Sequence, residues 1–211
     1  ITVNDPSKEL TLVYIDDVIT SFVGCLSLDR SKGVLRKSVM PEYHTTLADL
    51  AFQIKNFENC RNDLTLERVG KDLTRALYST YVSYLPKDKF QYQIPSHKDA
   101  RGEFVEMLKT KDSGQFSYFT ALPGVTRGGH YHHKLEQVMI CISGQLNISL
   151  ESKNGLKKKY ILNKPNKALY IPSKYWRDIT FEENTILLCI ASEVYDENDY
   201  VRSYKEFKNI S

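Results

Sequence analysis

The chain has 211 residues, of which 41% are hydrophobic and 26% charged, with ten Gly and seven Pro. That balance excludes a collagen-like, low-complexity or wholly disordered chain, and the length suits one to two domains. The net charge of +3 argues against a dedicated nucleic-acid binder, and no apolar run reaches the roughly 18 residues of a membrane span.

The sequence opens on Ile1 with no signal-peptide pattern behind it, as expected of a trimmed chain or of part of a longer one. Leu10 to Ile15 reads as a short strand, and Asp16-Asp17 favours a helix start. Leu47, Leu50, Ala51, Ile54 and Phe57 recur at helical spacing and predict a helix from Thr46. Leu66, Val69, Leu73, Ala76 and Leu77 predict another from about Thr65, closed by Pro86. From Phe90 the pattern changes to short β-rich runs between turn signals. These are 103–108, 115–122, 137–142, 145–151, 158–162, 168–171, 178–181 and 186–191. Ser143-Gly144 and Asn154-Gly155 read as hairpin turns, and 197–208 as a short helix covering an end. So many short strands point to a sandwich or barrel. The four cysteines (Cys25, Cys60, Cys141, Cys189) lie far apart without a CxxC, which suggests a reducing, cytoplasmic setting. Cys141 and Cys189 fall in apolar strands and read as core. The basic cluster at Lys157 and the acidic one at Asp196 to Asp199 read as solvated faces.

Three of the five histidines stand in His130-Tyr131-His132-His133, behind Arg127-Gly128-Gly129. In a strand His130 and His132 share one face and His133 takes the other. Two imidazoles inside a small barrel are expensive to bury without a use. His44 and His97 read as surface residues.

Gly124, His130-x-His132, Glu136 and Gly144 approximate the first cupin motif. Residues 127–208 resemble the cupin dTDP-4-keto-6-deoxyhexose 3,4-ketoisomerases. The strings that carry this are Arg127-Gly128, His130-x-His132, Lys134-Leu-x-Gln137, Asn166 to Pro172 and Ala191 to Arg202. Residues 1–133 resemble the CapF-type bifunctional capsular-polysaccharide reductase–epimerases, through Glu9 to Asp17, Leu77 to Pro86 and Gly124 to His133. The resemblance implies a mainly β jelly-roll cupin over 89–211. It also implies a smaller α-rich segment over 1–88, similar to the substrate-side end of a short-chain dehydrogenase domain. No GxGxxG is present, and two YxxxK spacings (Tyr160–Lys164, Tyr204–Lys208) fall in the β-rich part, so NADPH binding is not expected of this chain.

By the ketoisomerase resemblance His130 and His132 form the catalytic couple, acting on a nucleotide-linked 4-keto-6-deoxy sugar. A neutral imidazole suits abstraction of the acidic C3 proton. Arg127 is the expected stabiliser of the enediolate or holder of the diphosphate, and Tyr118 a candidate phenolic acid. Arg101, Gln137, Trp176 beside Tyr175, and Arg177 are candidate substrate contacts, with Arg177 free to bind phosphate or pair with Glu136. The CapF-type resemblance implies zinc, for which His130, His132 and Glu136 are the candidate ligands. Two departures speak against it. Arg177 stands where a second motif would supply another His, and Gln137 stands where that family's Glu would fall. The expectation is therefore a metal-free isomerase, cytoplasmic and homodimeric, with no nucleic-acid or membrane partner. The alternatives are a zinc-assisted C3 epimerase and a sugar-binding cupin without turnover.

Overall fold

The computed structural model describes residues 2–28 and 33–209. The chain divides into two compact units, 1–63 with 67–90, and 64–66 with 91–211. Among the described residues no helix is long and apolar enough to cross a membrane.

Among the described residues the first unit holds three α-helices, one 3-10 turn (Lys87–Lys89) and one strand pair. Strand β1 (Glu9–Leu12) runs antiparallel to β2 (Tyr43–Thr46). Helix α1 (Ile15–Cys25) carries Asp16 and Asp17 in its first turn, where the helix dipole favours negative charge. Thr46 starts α2 (Leu47–Asp63) by accepting the Asp49 N–H at 3.1 Å, while its own hydroxyl donates to the Asp49 carboxylate. The third helix, α3 (Asp72–Ser83), begins later than the periodicity predicts. Gly70 interrupts the pattern, and Thr65–Leu66 instead forms a short strand, β3. Phe57 on α2 is 2% exposed and packs against Tyr78 and Tyr81 of α3 at ring-centroid distances of 5.2 and 5.7 Å.

The second unit is mostly β, as expected. Its first strands are β4 (His97–Asp99), β5 (Gly102–Thr110), β6 (Gln115–Ala121) and β7 (Thr126–His132). Then come β8 (Gln137–Ser143), β9 (Leu146–Glu151), β10 (Lys157–Leu162) and β11 (Ala168–Ile171). The last are β12 (Trp176–Phe181), β13 (Thr185–Ala191) and β14 (Tyr200–Val201), ahead of helix α4 (Tyr204–Asn209). They form two sheets, ordered β10-β9-β12-β7-β14 and β11-β8-β13-β6-β5-β3, with β4 on β5. The inner faces alternate as period 2 demands. Met139 and Cys141 on β8, Leu146 and Ile148 on β9, Phe181 on β12 and Leu187 on β13 make one core. Each fully buried large side chain contributes roughly 1.5–3 kcal/mol relative to exposure.

One irregularity matters for function. In the β7–β12 ladder Arg177 faces His130, yet Asp178 faces Gly128, so Gly129 is the extra residue of a bulge. Its φ of +65° suits glycine. Arg127 and His130 are three residues apart and would point oppositely in a regular strand. The bulge restores parity, so both face inward. Asp178 holds the bulge by accepting the Gly129 N–H at 3.1 Å.

The C-terminal expectation needs correction. Residues 197–208 are not one helix: a 3-10 turn (Glu197–Asp199) leads into β14, which pairs with β7, Tyr200 opposite His132. Only then does α4 begin, its Glu206 N–H donating to the Ser203 hydroxyl. Helix α4 covers the outer face of the five-stranded sheet through Tyr131, Trp176, Val201 and Phe207. Buried Glu151 fastens it, accepting from Tyr204 at 2.8 Å and pairing with Lys157 and Lys208.

Candidate active site

The inner faces of the two sheets enclose a cavity of about 500 Å³. Its wall includes Arg101, Arg127, His130, Gln137 and Arg177, five of the residues expected from sequence. His132 lies directly behind, 3% exposed.

At the centre is Arg177, 5% exposed. Its Nη2 lies 2.6 Å from His130 Nε2 and 2.7 Å from His132 Nε2, and its Nη1 donates to the Gln137 side-chain oxygen. A guanidinium has only donors, so both imidazole Nε2 atoms must be acceptors. His130 Nδ1 is 2.9 Å from the Gly128 carbonyl, which only accepts, so this nitrogen carries the proton. Both rings are therefore neutral Nδ1–H tautomers. Burial, then the neighbouring Arg177 charge, pull both imidazoles down to about 3. Burial also lowers Arg177, to about 10, which leaves it charged at neutral pH. Among the described residues no carboxylate pairs with Arg177. A buried cation without a counter-ion is strongly unfavourable, and it marks the cavity as a site for an anion or a developing negative charge.

Further cations ring the cavity. Arg127 is half-buried, its guanidinium 5.2 Å from the Phe119 ring centroid and 3.8 Å from Asp99, and among the described residues its Nε has no hydrogen-bond acceptor. Arg101 donates to Asp99 through Nε at 2.9 Å, which holds that carboxyl down to about 2. Arg202 pairs with Glu197 at 2.9 Å and lies over the Tyr200 ring. Tyr200 packs edge-on against His132 at 4.2 Å and is 5.0 Å from His130.

Several expectations are corrected. Tyr118 does not line the cavity; its neighbours Ser117 and Phe119 do, because β6 alternates. Trp176 does not reach it either. As the strand neighbour of inward-facing Arg177 it faces outward, where its indole N–H donates to Asp178 at 3.2 Å beneath α4. Glu136 points away from the cavity, and its carboxylate takes a hydrogen bond from Tyr170 rather than from Arg177. His133 is exposed and His44 and His97 lie on the surface, as expected. Sequence reasoning missed Tyr195, Tyr200 and Arg202, which line the cavity from the C-terminal segment. The spacing of Tyr200 and Arg202 at i, i+2 was their available signal.

The residues do not fit the zinc implied by the CapF-type resemblance. Among the described residues no group of three His, Cys, Asp or Glu is placed to hold a metal ion. The two imidazoles meet a neutral amide, Gln137, and a guanidinium, Arg177, where further anionic or imidazole ligands are needed.

Comparison with known proteins gives the family of the chain. Residues 87–211 match the family model described as FdtA: WxcM-like, C-terminal. The chain is similar to the UDP-2-acetamido-2,6-beta-L-arabino-hexul-4-ose reductase of Pseudomonas aeruginosa, 42% identical over 94% of this chain and 54% of the relative. It is also similar to the TDP-4-oxo-6-deoxy-alpha-D-glucose-3,4-oxoisomerase of Aneurinibacillus thermoaerophilus, 31% identical over 52% of this chain and 83% of that enzyme. The crystal structure of the capsular polysaccharide assembling protein CapF from Staphylococcus aureus superposes with a TM-score of 0.83 at 29% identity, over 95% of this chain and 56% of that one. The chain thus spans just over half the length of the reductase and of CapF.

Proposed function

This chain belongs to the FdtA family (WxcM-like, C-terminal), and from that premise we propose that it is a nucleotide-sugar isomerase. Its substrate would be a dTDP- or UDP-linked 4-keto-6-deoxyhexose, converted through an enediol to the 3-keto isomer for surface-polysaccharide synthesis. The observation that carries this is Arg177, a buried guanidinium without a carboxylate, shared between two neutral imidazoles.

The hydrogen-bond accounting supplies the mechanism. Arg177 Nη2 has two hydrogens, and in the free site each serves one imidazole. A substrate C4 carbonyl that takes one of them frees one Nε2 lone pair. That imidazole removes the C3 proton; the electron pair forms C3=C4 and moves the carbonyl pair onto O4, where Arg177 stabilises it. O4 is then protonated. O3 gives up its proton, C3=O forms, and C4 receives a proton, so composition is unchanged. The negative charge of substrate and enediolate raises the depressed imidazole pKa values toward a useful range. Arg127, with its unsatisfied Nε, and Arg101 suit the diphosphate oxygens. No step needs a metal, and the donor set favours none. The same reading carries a cytoplasmic homodimer, with 1–88 as the substrate-side end of a dehydrogenase-like domain.

A second reading is a C3 epimerase, which the CapF-type resemblance implies and the similarity to CapF over 95% of this chain supports. Both readings share C3 deprotonation. The deciding experiment is proton NMR of dTDP- and UDP-4-keto-6-deoxyhexoses with this chain in heavy water and chelator. Deuterium at C4 with a new 3-keto product supports the isomerase. Deuterium at C3 with an inverted 4-keto sugar supports the epimerase. No exchange on either nucleotide, with or without zinc, would leave a sugar-binding protein.

A further inference from the structure

The two imidazoles differ in what stands behind them. His130 Nδ1 faces a peptide carbonyl, that of Gly128. His132 Nδ1 faces a carboxylate, with Asp199 Oδ2 3.3 Å away, within ion-pair distance though not aligned as a hydrogen bond, and among the described residues no hydrogen-bond acceptor reaches this buried nitrogen. Asp199 was read from sequence as part of a solvated acidic cluster, yet it is 9% exposed. Both its oxygens are already held: Oδ1 accepts the Lys134 N–H at 2.8 Å and Oδ2 the Leu135 N–H at 3.1 Å. The Asp199 carbonyl also accepts the His133 N–H at 3.1 Å, and the next residue, Tyr200, pairs with His132 across β14–β7. The carboxylate is therefore fixed to residues 133–135, the segment that directly follows the imidazole.

Resting on the isomerase reading, we propose that Asp199 is a positioning residue for His132. Its carboxylate faces the Nδ1 proton, leaves Nε2 to Arg177 at the back of the cavity, and steadies the imidazolium as it forms. His132 then carries the proton between C3 and C4, while His130, backed by a neutral carbonyl, serves mainly to orient Arg177. The charged groups around His132 agree with this division. Arg177 on β12 and Arg202 beyond β14 disfavour the imidazolium, as does His133 when protonated. Among the described residues Asp199 is the carboxylate within ion-pair distance. A carboxylate behind an imidazole fixes tautomer and raises basicity, and in metal sites, where the same pairing orients a ligating imidazole, losing the carboxylate costs about 10–100-fold.

The test is Asp199→Asn, which keeps size and an acceptor for the backbone N–H groups. The expected result is a kcat for C3 exchange reduced about 10–100-fold, with affinity for dTDP unchanged and the His132 Nδ1 proton moved to higher field in ¹H–¹⁵N spectra. In a His132→Gln background the same substitution should change the residual rate by less than about twofold, since it acts through the ring already removed. An equal loss in both backgrounds, or an unmoved Nδ1 resonance, overturns the proposal. Should the Asn variant not fold, the wild-type chain decides. A low-field, slowly exchanging Nδ1 proton on His132 supports the pair, and an ordinary fast-exchanging one refutes it. Failure of the isomerase reading is separately visible as no 3-keto product from the wild type, and the ring-proton measurement still judges the Asp199–His132 pair.

Discussion

Acidification should unlock the site through its two imidazoles. Both hold a folded-state pKa of about 3 against an ordinary 6.5, so the unfolded chain binds protons that the folded chain refuses. Their contribution to stability is complete above about pH 6.5 and is lost progressively as pH falls toward 3. At pH 5 an unfolded imidazole is about 1.5 units below its pKa, worth about 2 kcal/mol at 1.36 kcal/mol per unit. The pair gives about 4 kcal/mol, reduced to about 3 because solvent reaches part of the cavity. The carboxylates do not confound this window. Asp99, Glu151 and Glu197 sit at about 2, down from ordinary values of 3.8, 4.5 and 4.5, so their contributions are lost only in more acid solution. The assay is urea denaturation at pH 7.5, 6.5, 5.5 and 5, followed by fluorescence of Trp176, the single tryptophan of the chain, which packs beside Tyr131 in the β-rich unit. The His130→Gln/His132→Gln variant should lose most of the pH dependence. Parallel curves for wild type and variant would refute the reasoning, because the slope would then belong to other groups.

Four further outcomes follow from the same geometry. Tyr118→Phe should leave kcat within about twofold, since surface-type changes away from a site rarely matter; a hundredfold loss by steady-state kinetics would return Tyr118 to the mechanism. Arg177→Met should lower kcat about 10²–10³-fold, as loss of an oxyanion donor does. The pair Arg177→His with Gln137→Glu should bind zinc at one ion per chain, measured by elemental analysis, because three imidazoles and a carboxylate complete a tetrahedral set; no uptake would mean that His130 and His132 are wrongly placed for a metal. Gly128→Ala should destabilise the β-rich unit by more than about 1 kcal/mol, since its Cβ would lie 2.5 Å from the Arg177 carbonyl at a φ of +102°. A thermal midpoint equal to wild type would argue against the bulge geometry.

The β-rich unit was legible because its strands alternate, its turns carry glycine, and its motif residues are contiguous. Residues that reach the cavity by strand parity were legible only when parity was applied without exception. Arg177 and Trp176 are adjacent, as are Tyr118 and its neighbours Ser117 and Phe119, so assigning both Arg177 and Trp176 to substrate contradicts the period of 2. Arg127 shows the opposite failure. Strict parity would place it away from His130, and the Gly128-Gly129 pair was the signal that a bulge resets the count. Asp199 and Tyr200 were hidden for another reason. Their charge and spacing fit an exposed amphipathic helix, and nothing local announces that Tyr200-Val201 will add to β7 and carry Asp199 beneath His132.

The His-x-His pair was legible as a motif, but its chemistry was not, because the same spacing serves a metal in one setting and a proton in another. What separates them lies 45 residues further on in the chain, at Arg177. A guanidinium seated between the two Nε2 atoms does what a bound cation would do for a developing oxyanion. It also fixes both rings in the tautomer that a base requires. It is permanently charged and covalently held, so it needs no ligand shell of carboxylates, and the cavity can surrender Glu136 to Tyr170 on the outer face. Among the described residues no acidic partner neutralises Arg177, and the proposed isomerisation would require this: a carboxylate there would cancel the charge that is to stabilise an enediolate.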